Sequence, residues 1–71
     1  MAHKSILAQE MGYRLWHDDR GYCVMQAQFS DSGKVTFWQQ VSKWYQLRSY
    51  AVRIYDDLVR KAIGEEVAKR G

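Results

Sequence analysis

Two short turns that each end in glycine, DRG at residues 19–21 and DSG at residues 31–33, divide the middle of the chain into three segments of strand length. GYRLWHD precedes the first turn, YCVMQAQFS lies between the two, and KVTFWQQV follows the second. A glycine closing an Asp-led turn suits a residue at positive φ, as a three-residue hairpin loop with a bulge requires. On that reading Asp18 faces Tyr22 and Ser30 faces Lys34. Leu15 then pairs with Met25, Tyr13 with Ala27, and Ala27 with Phe37. One face collects Tyr13, Leu15, Cys23, Met25, Ala27, Phe29, Val35, Phe37 and Val41, with Gln39 as an exception. The other collects Arg14, Trp16, Val24, Gln26, Gln28, Thr36, Trp38 and Gln40. This is the alternation of a half-buried antiparallel meander.

From Ser42 the apolar period changes. Trp44, Leu47, Ala51, Ile54, Tyr55, Leu58 and Ala62 fall on one side of a helix, and Val52 and Val59 widen the stripe. Ser42 suits an N-cap and Gly64 a C-terminal stop, which predicts a helix over 42–63, or one starting nearer Gln46. Residues 64–71 read as a short continuation or a tail. The N-terminal segment, 1–11, reads either as a short helix, one or two turns over SILAQE at residues 5–10, or as a mobile segment. The expected fold is α+β: one domain, 1–71, in which a three-stranded antiparallel meander (12–41) is covered on one face by a C-terminal helix.

Composition supports a folded domain and bounds its chemistry. Three Trp, five Tyr and two Phe among 71 residues supply apolar area that a disordered chain lacks. The net charge of +3 is modest, and residues 1–41 balance four basic against four acidic groups. Residues 42–71 carry seven basic and four acidic groups, so the excess lies in the C-terminal part. Cys23 is the only cysteine, which excludes an internal disulfide. No stretch approaches the apolar length of a membrane span, and a cytoplasmic location without membrane attachment is the expectation.

The outward face supplies the functional expectation. Arg14, Trp16, Gln26, Trp38 and Gln40 would stack on or hydrogen-bond to a partner, with Lys34, Lys43 and Arg48 steering phosphate. Across residues 12–63 the β-β-β-α order resembles the modules by which phage integrases and certain plant transcription factors lay a three-stranded sheet in the DNA major groove. The C-terminal basic excess together with this Trp/Arg/Gln face gives the leading expectation, a DNA- or RNA-binding regulatory module, and the resemblance supports it by analogy. The alternative is an adaptor or inhibitor that docks the same Trp/Arg face onto an acidic protein surface. A homodimer through an edge strand, Gly12–Asp18 or Lys34–Val41, is a third option. His17 and Cys23, read as cross-strand neighbours, are too few for a zinc site, and GxGxxG, GxxxxGK[ST] and HExxH are all absent. Neither an enzyme nor a cofactor is expected. The register further predicts Phe37 buried beneath the helix, where truncation would cost about 3–5 kcal/mol, and Trp38 partly exposed on the opposite face.

Overall fold

The computed structural model describes residues 4–70 and has the order β1 (Ser5–Glu10), β2 (Tyr13–Asp18), β3 (Gly21–Phe29), β4 (Val35–Gln40) and α1 (Arg48–Arg70). The four strands form one antiparallel meander in sequence order, and α1 packs on β2 and β3. The α+β class and the C-terminal helical layer agree with the sequence. The N-terminal segment does not. SILAQE is an edge strand paired with β2, not a helix, and the sheet has four strands rather than three. Its entry turn is Met11–Gly12, with φ of 54° and 79°. Two successive residues at positive φ make the mirror-image turn that suits the twist of a two-residue hairpin. Met11 is a non-glycine residue in that conformation, so the usual Asn-Gly signature is missing from the sequence.

The registers differ from expectation in two places, and the two differences cancel. Asp18 pairs with Gly21 across a two-residue loop, so Leu15 faces Val24, Trp16 faces Cys23 and Arg14 faces Met25. Between β3 and β4, Phe29 faces Val35 as expected, but the register then slips by one residue. Thr36 drops out of the pairing, its hydroxyl donates to the Gln28 carbonyl, and Ala27 meets Trp38 while Gln28 meets Phe37. From Phe37 onward β4 therefore keeps its expected face relative to β2, whereas the central strand and, before the irregularity, Val35 are inverted, so that Phe29 and Val35 lie on the face away from α1 and not beneath the helix as expected. Tyr22, Val24, Gln26 and Gln28 face the helix side. Cys23, Met25 and Ala27 face away from it.

Gly21 explains the shorter loop. Tyr45 crosses its start and exchanges two backbone hydrogen bonds with Tyr22, at 2.7 and 2.8 Å. A Cβ on Gly21 would collide with the Tyr45 carbonyl oxygen. The glycine is required by this backbone approach, at φ 119°, and not by a third loop position.

The core is small. Leu15 and Val24 from the sheet meet Ala51, Tyr55 and Val59 from α1, with Leu7, Ala8, Tyr13, Tyr22, Tyr45, Val52, Ile54 and Leu58 half-buried around them. Because α1 sits over β2 and β3, it leaves β4 uncovered, and Phe37 is 59% exposed. The expectation that Phe37 lies beneath the helix is overturned. The helix limits also shift. Ser42 is not the N-cap: its hydroxyl accepts from the Val24 amide and donates to the Lys43 carbonyl. Gly64 does not end the helix, because the helix-favouring run after it (EEVAKR) offsets the roughly 1 kcal/mol a helical glycine costs. Lys69 and Arg70 suit the negative end of the helix dipole.

Two pairs of variants check this arrangement by urea or thermal unfolding. Leu15→Ala removes a side chain from the centre of the core and should cost about 2–5 kcal/mol, whereas Phe37→Ala should cost under about 1 kcal/mol. Gly21→Ala should destabilise by at least about 1–3 kcal/mol. Gly64→Ala, whose added Cβ meets open space, should stabilise by about 0.5–1 kcal/mol.

Candidate binding surface

The sheet face turned away from α1 has no second layer of secondary structure, yet Cys23 and Ala27 on it are buried. Their direct cross-strand partners are Trp16 and Trp38. Small residues on the central strand let indole rings from both neighbours lie across it, which removes apolar area from water without a covering helix. Trp16 and Trp38 are consequently half-buried, and Trp44 in the segment after β4 is half-buried as well.

Two arginine–tryptophan stacks continue this layer. The Arg14 guanidinium carbon sits 3.8 Å from the Trp38 ring centroid, and its Nε donates to Gln9 Oε1 at 2.9 Å. Arg20 sits 4.2 Å over Trp44. Arg20 also grips Asp18 through Nη2 to Oδ2 at 2.6 Å and through its backbone amide to Oδ1 at 2.8 Å, while Trp16 Nε1 donates to Oδ2 at 2.9 Å. Asp18 is the one buried charged side chain among the described residues, and with Arg20 Nε donating to Oδ1 at 3.3 Å each of its carboxylate oxygens accepts two hydrogen bonds. The Arg20 guanidinium and the Trp16 indole N–H hold its carboxyl well below the usual carboxylate range. Burial pushes the Cys23 thiol up to about 11.

Of the residues expected to form the site, Arg14, Trp16, Trp38 and Gln40 do share this outer face, and Arg14 and Trp38 touch. Gln26 does not join them. The inverted parity of β3 places it on the helix side, where its side-chain amide donates to the Tyr13 hydroxyl at 3.2 Å. Lys34 lies in the exposed β3–β4 turn, Lys43 in the exposed segment after β4, and Arg48 opens α1. His17 and Cys23 are not neighbours: His17 stacks on Tyr22 on the helix side, and Cys23 is on the other face. Asp18, Arg20 and Trp44 are the members that sequence reasoning missed. An Asp followed two residues later by Arg at a hairpin corner was the available signal for the first two. Trp44 was hidden because it fits the helical stripe.

Among the described residues, no group of three or more His, Cys, Asp or Glu side chains is placed to hold a metal ion, and no helix is long and apolar enough to cross a membrane. No protein-family model, curated protein sequence or solved structure matches the chain.

The pKa directions give two tests. Folding lowers the Asp18 pKa, so its stabilisation is complete above the ordinary carboxylate range and is lost as pH falls through the lowered value. Asp18→Asn should therefore lower the melting temperature at pH 7, and its gap from the parent should narrow below about pH 4. Folding raises the Cys23 pKa, so stability present below pH 9.0 should decline as pH rises from there towards about 11. A thiol reagent at pH 8 should label Cys23 slowly in the native protein and rapidly in denaturant.

Proposed function

We propose that the chain is a protein-binding module that docks through β4 and the β3–β4 tip. The observation that carries this reading is the exposure, at the β4 margin of the sheet, of Phe29 (60%) and Val35 (47%) on the outer face and of Phe37 (59%) and Val41 (41%) on the helix side. A small domain gains little from four large apolar side chains held in water, and apolar side chains exposed together at one sheet edge suit an interaction site. Trp38 lies at the same margin with the Arg14 guanidinium, reaching from β2, stacked on its ring, and both belong to the residue types that anchor interfaces. A partner surface of acidic character suits the neighbouring Lys34 and Lys43.

Nucleic-acid binding is a second reading, favoured by a separate observation. The outer face is bare of covering structure, and among the described residues Arg14 has no carboxylate within ion-pair distance. Against it, Arg20 is committed to Asp18 and the Trp38 ring face is occupied by Arg14, which leaves no dense basic patch beside a free stacking platform.

One set of variants separates the readings. Phe29→Ser with Phe37→Ser should keep the fold by circular dichroism and lose at least about tenfold in affinity for proteins that the immobilised parent retains. Unchanged retention would remove this surface. Binding of mixed-sequence oligonucleotides at micromolar concentration, falling steeply between 50 and about 200 mM salt and weakened by Arg14→Ala, would instead select the nucleic-acid reading.

A further inference from the structure

The sheet has two edges, and they are unequally protected. On β1 the bulge at Leu7 breaks the strand near its middle, and Glu10 closes its end. On β4 the irregularity at Thr36 falls beside the hairpin tip, so Phe37–Gln40 keeps regular pairing with β3. The Val41 amide donates to Val24, and antiparallel ladders alternate inward and outward groups. The backbone amides and carbonyls of Phe37 and Gln39 therefore point to β3, and those of Trp38 and Gln40 point to the open edge. No residue of β4 is a proline, which would block pairing.

We infer that this open edge of β4 takes up an extended, acidic segment of another protein as a fifth strand. The inference rests on the protein-binding reading above and specifies how the partner is held. Strand addition draws its affinity from main-chain hydrogen bonds, here to Trp38 and Gln40, and its selectivity from alternate side chains. Charge complementarity identifies the occupant. KVTFWQQVSK, residues 34–43, carries a lysine at each end and no acid; the nearest carboxylate in sequence is Asp31, in the turn. Lys34 and Lys43 are both exposed. They lie about 25–30 Å apart along an extended strand, so the matching acids stand roughly eight residues apart. Between them, the added strand places one apolar side chain beside Phe37 and others beside Trp38 on the opposite face.

A second copy of this chain fits the same edge poorly. Two-fold antiparallel pairing of β4 about Trp38 sets Lys34 opposite Ser42 of the second copy and next to its Lys43. The like charges meet at both ends, which opposes self-association and favours an acidic partner.

Three synthetic peptides test the inference on the full chain: acetyl-EETVTVTVEE-amide, the same sequence with lysine for each glutamate, and the acidic sequence N-methylated on every backbone amide, so that neither edge of it can pair. Main-chain bonding requires no particular side-chain sequence, so the acidic peptide should bind, slow hydrogen exchange at the Trp38 and Gln40 amides, and leave the β1 amides unaffected. The lysine peptide should bind at least about tenfold more weakly. The N-methylated peptide should not bind. Gln40→Pro removes an outward amide without touching the β3 ladder and should abolish binding. Lys34→Glu with Lys43→Glu provides a surface variant that folds regardless and should reverse the preference between acidic and basic peptides. Equal binding of the N-methylated peptide, protection at β1, or no binding at millimolar peptide overturns strand addition. None of these outcomes affects the protein-binding reading if the Phe29→Ser, Phe37→Ser variant still loses its partners. A concentration-dependent dimer abolished by Gln40→Pro would overturn the choice of an acidic partner over a second copy.

Discussion

Tyr45 passing over Gly21 is the contact on which most other features depend. The two Tyr22–Tyr45 backbone bonds tie the segment after β4 to the first residues of β3, and the bare α-carbon of Gly21 is what allows the carbonyl to come so near. With Gly21 used this way, the β2–β3 loop has two residues, Asp18 faces the glycine, and its carboxylate is free to cap Arg20. The same tie brings the chain back to the β2–β3 end of the sheet before α1 begins. The helix then descends over those two strands and not over β4. An exposed Phe37, an open β4 edge and a buried Asp18 are all consequences of where one carbonyl oxygen rests.

The central strand β3 has to satisfy two different layers. Towards α1 it presents Tyr22 and Val24, whose branched and aromatic side chains fill the space under a helix. On the other side it presents Cys23 and Ala27, small enough for Trp16 and Trp38 to lie over them. A domain with so few fully buried side chains has a narrow stability margin. The tryptophan layer widens it by burying aromatic area on the sheet face that most small α+β domains leave wet. Arginine on the outside of that layer provides the transition to water, since a guanidinium stacks on an indole without giving up its hydration at the edge.

Much of this was legible in the sequence. The positions of both later hairpins, the division into two faces of β2 and of β4 from Phe37 onward, and a helix built on Ala51, Tyr55 and Leu58 follow from glycine placement and from the change of period. The rest depended on tertiary contacts that a linear reading does not contain. DRG looks the same whether its glycine serves a loop or a distant carbonyl, and only Tyr45, far along the chain, decides between them. MG at residues 11–12 carries no conventional hairpin signature, so SILAQE passed for a helical segment. Val24 and Met25 are both apolar, as are Cys23 and Ala27, so β3 reads as acceptable in either parity. Gln26 was assigned to the outer surface by the register of a three-residue loop, and the pattern of β3 did not contradict it. The Arg14–Trp38 stack was nearly visible, because both residues were placed on the same face by two register differences that offset one another.

The length of α1 matters in a different way. Twenty-three helical residues span about 35 Å, while a six-residue strand covers about 20 Å. The last side chain of α1 anchored in the core is Val59, and beyond Ala62 every described residue of the helix is exposed. The final turns are held by local helical bonds alone, with Gly64 as a weak link at their root. Such a segment samples the unfolded state far more often than the sheet does. The molecule therefore has two levels of cooperativity: a body that opens only with the loss of the Leu15–Tyr55 core, and an arm that melts and re-forms while the body remains intact. A protease would find the arm first, and the β4 surface would survive the cut.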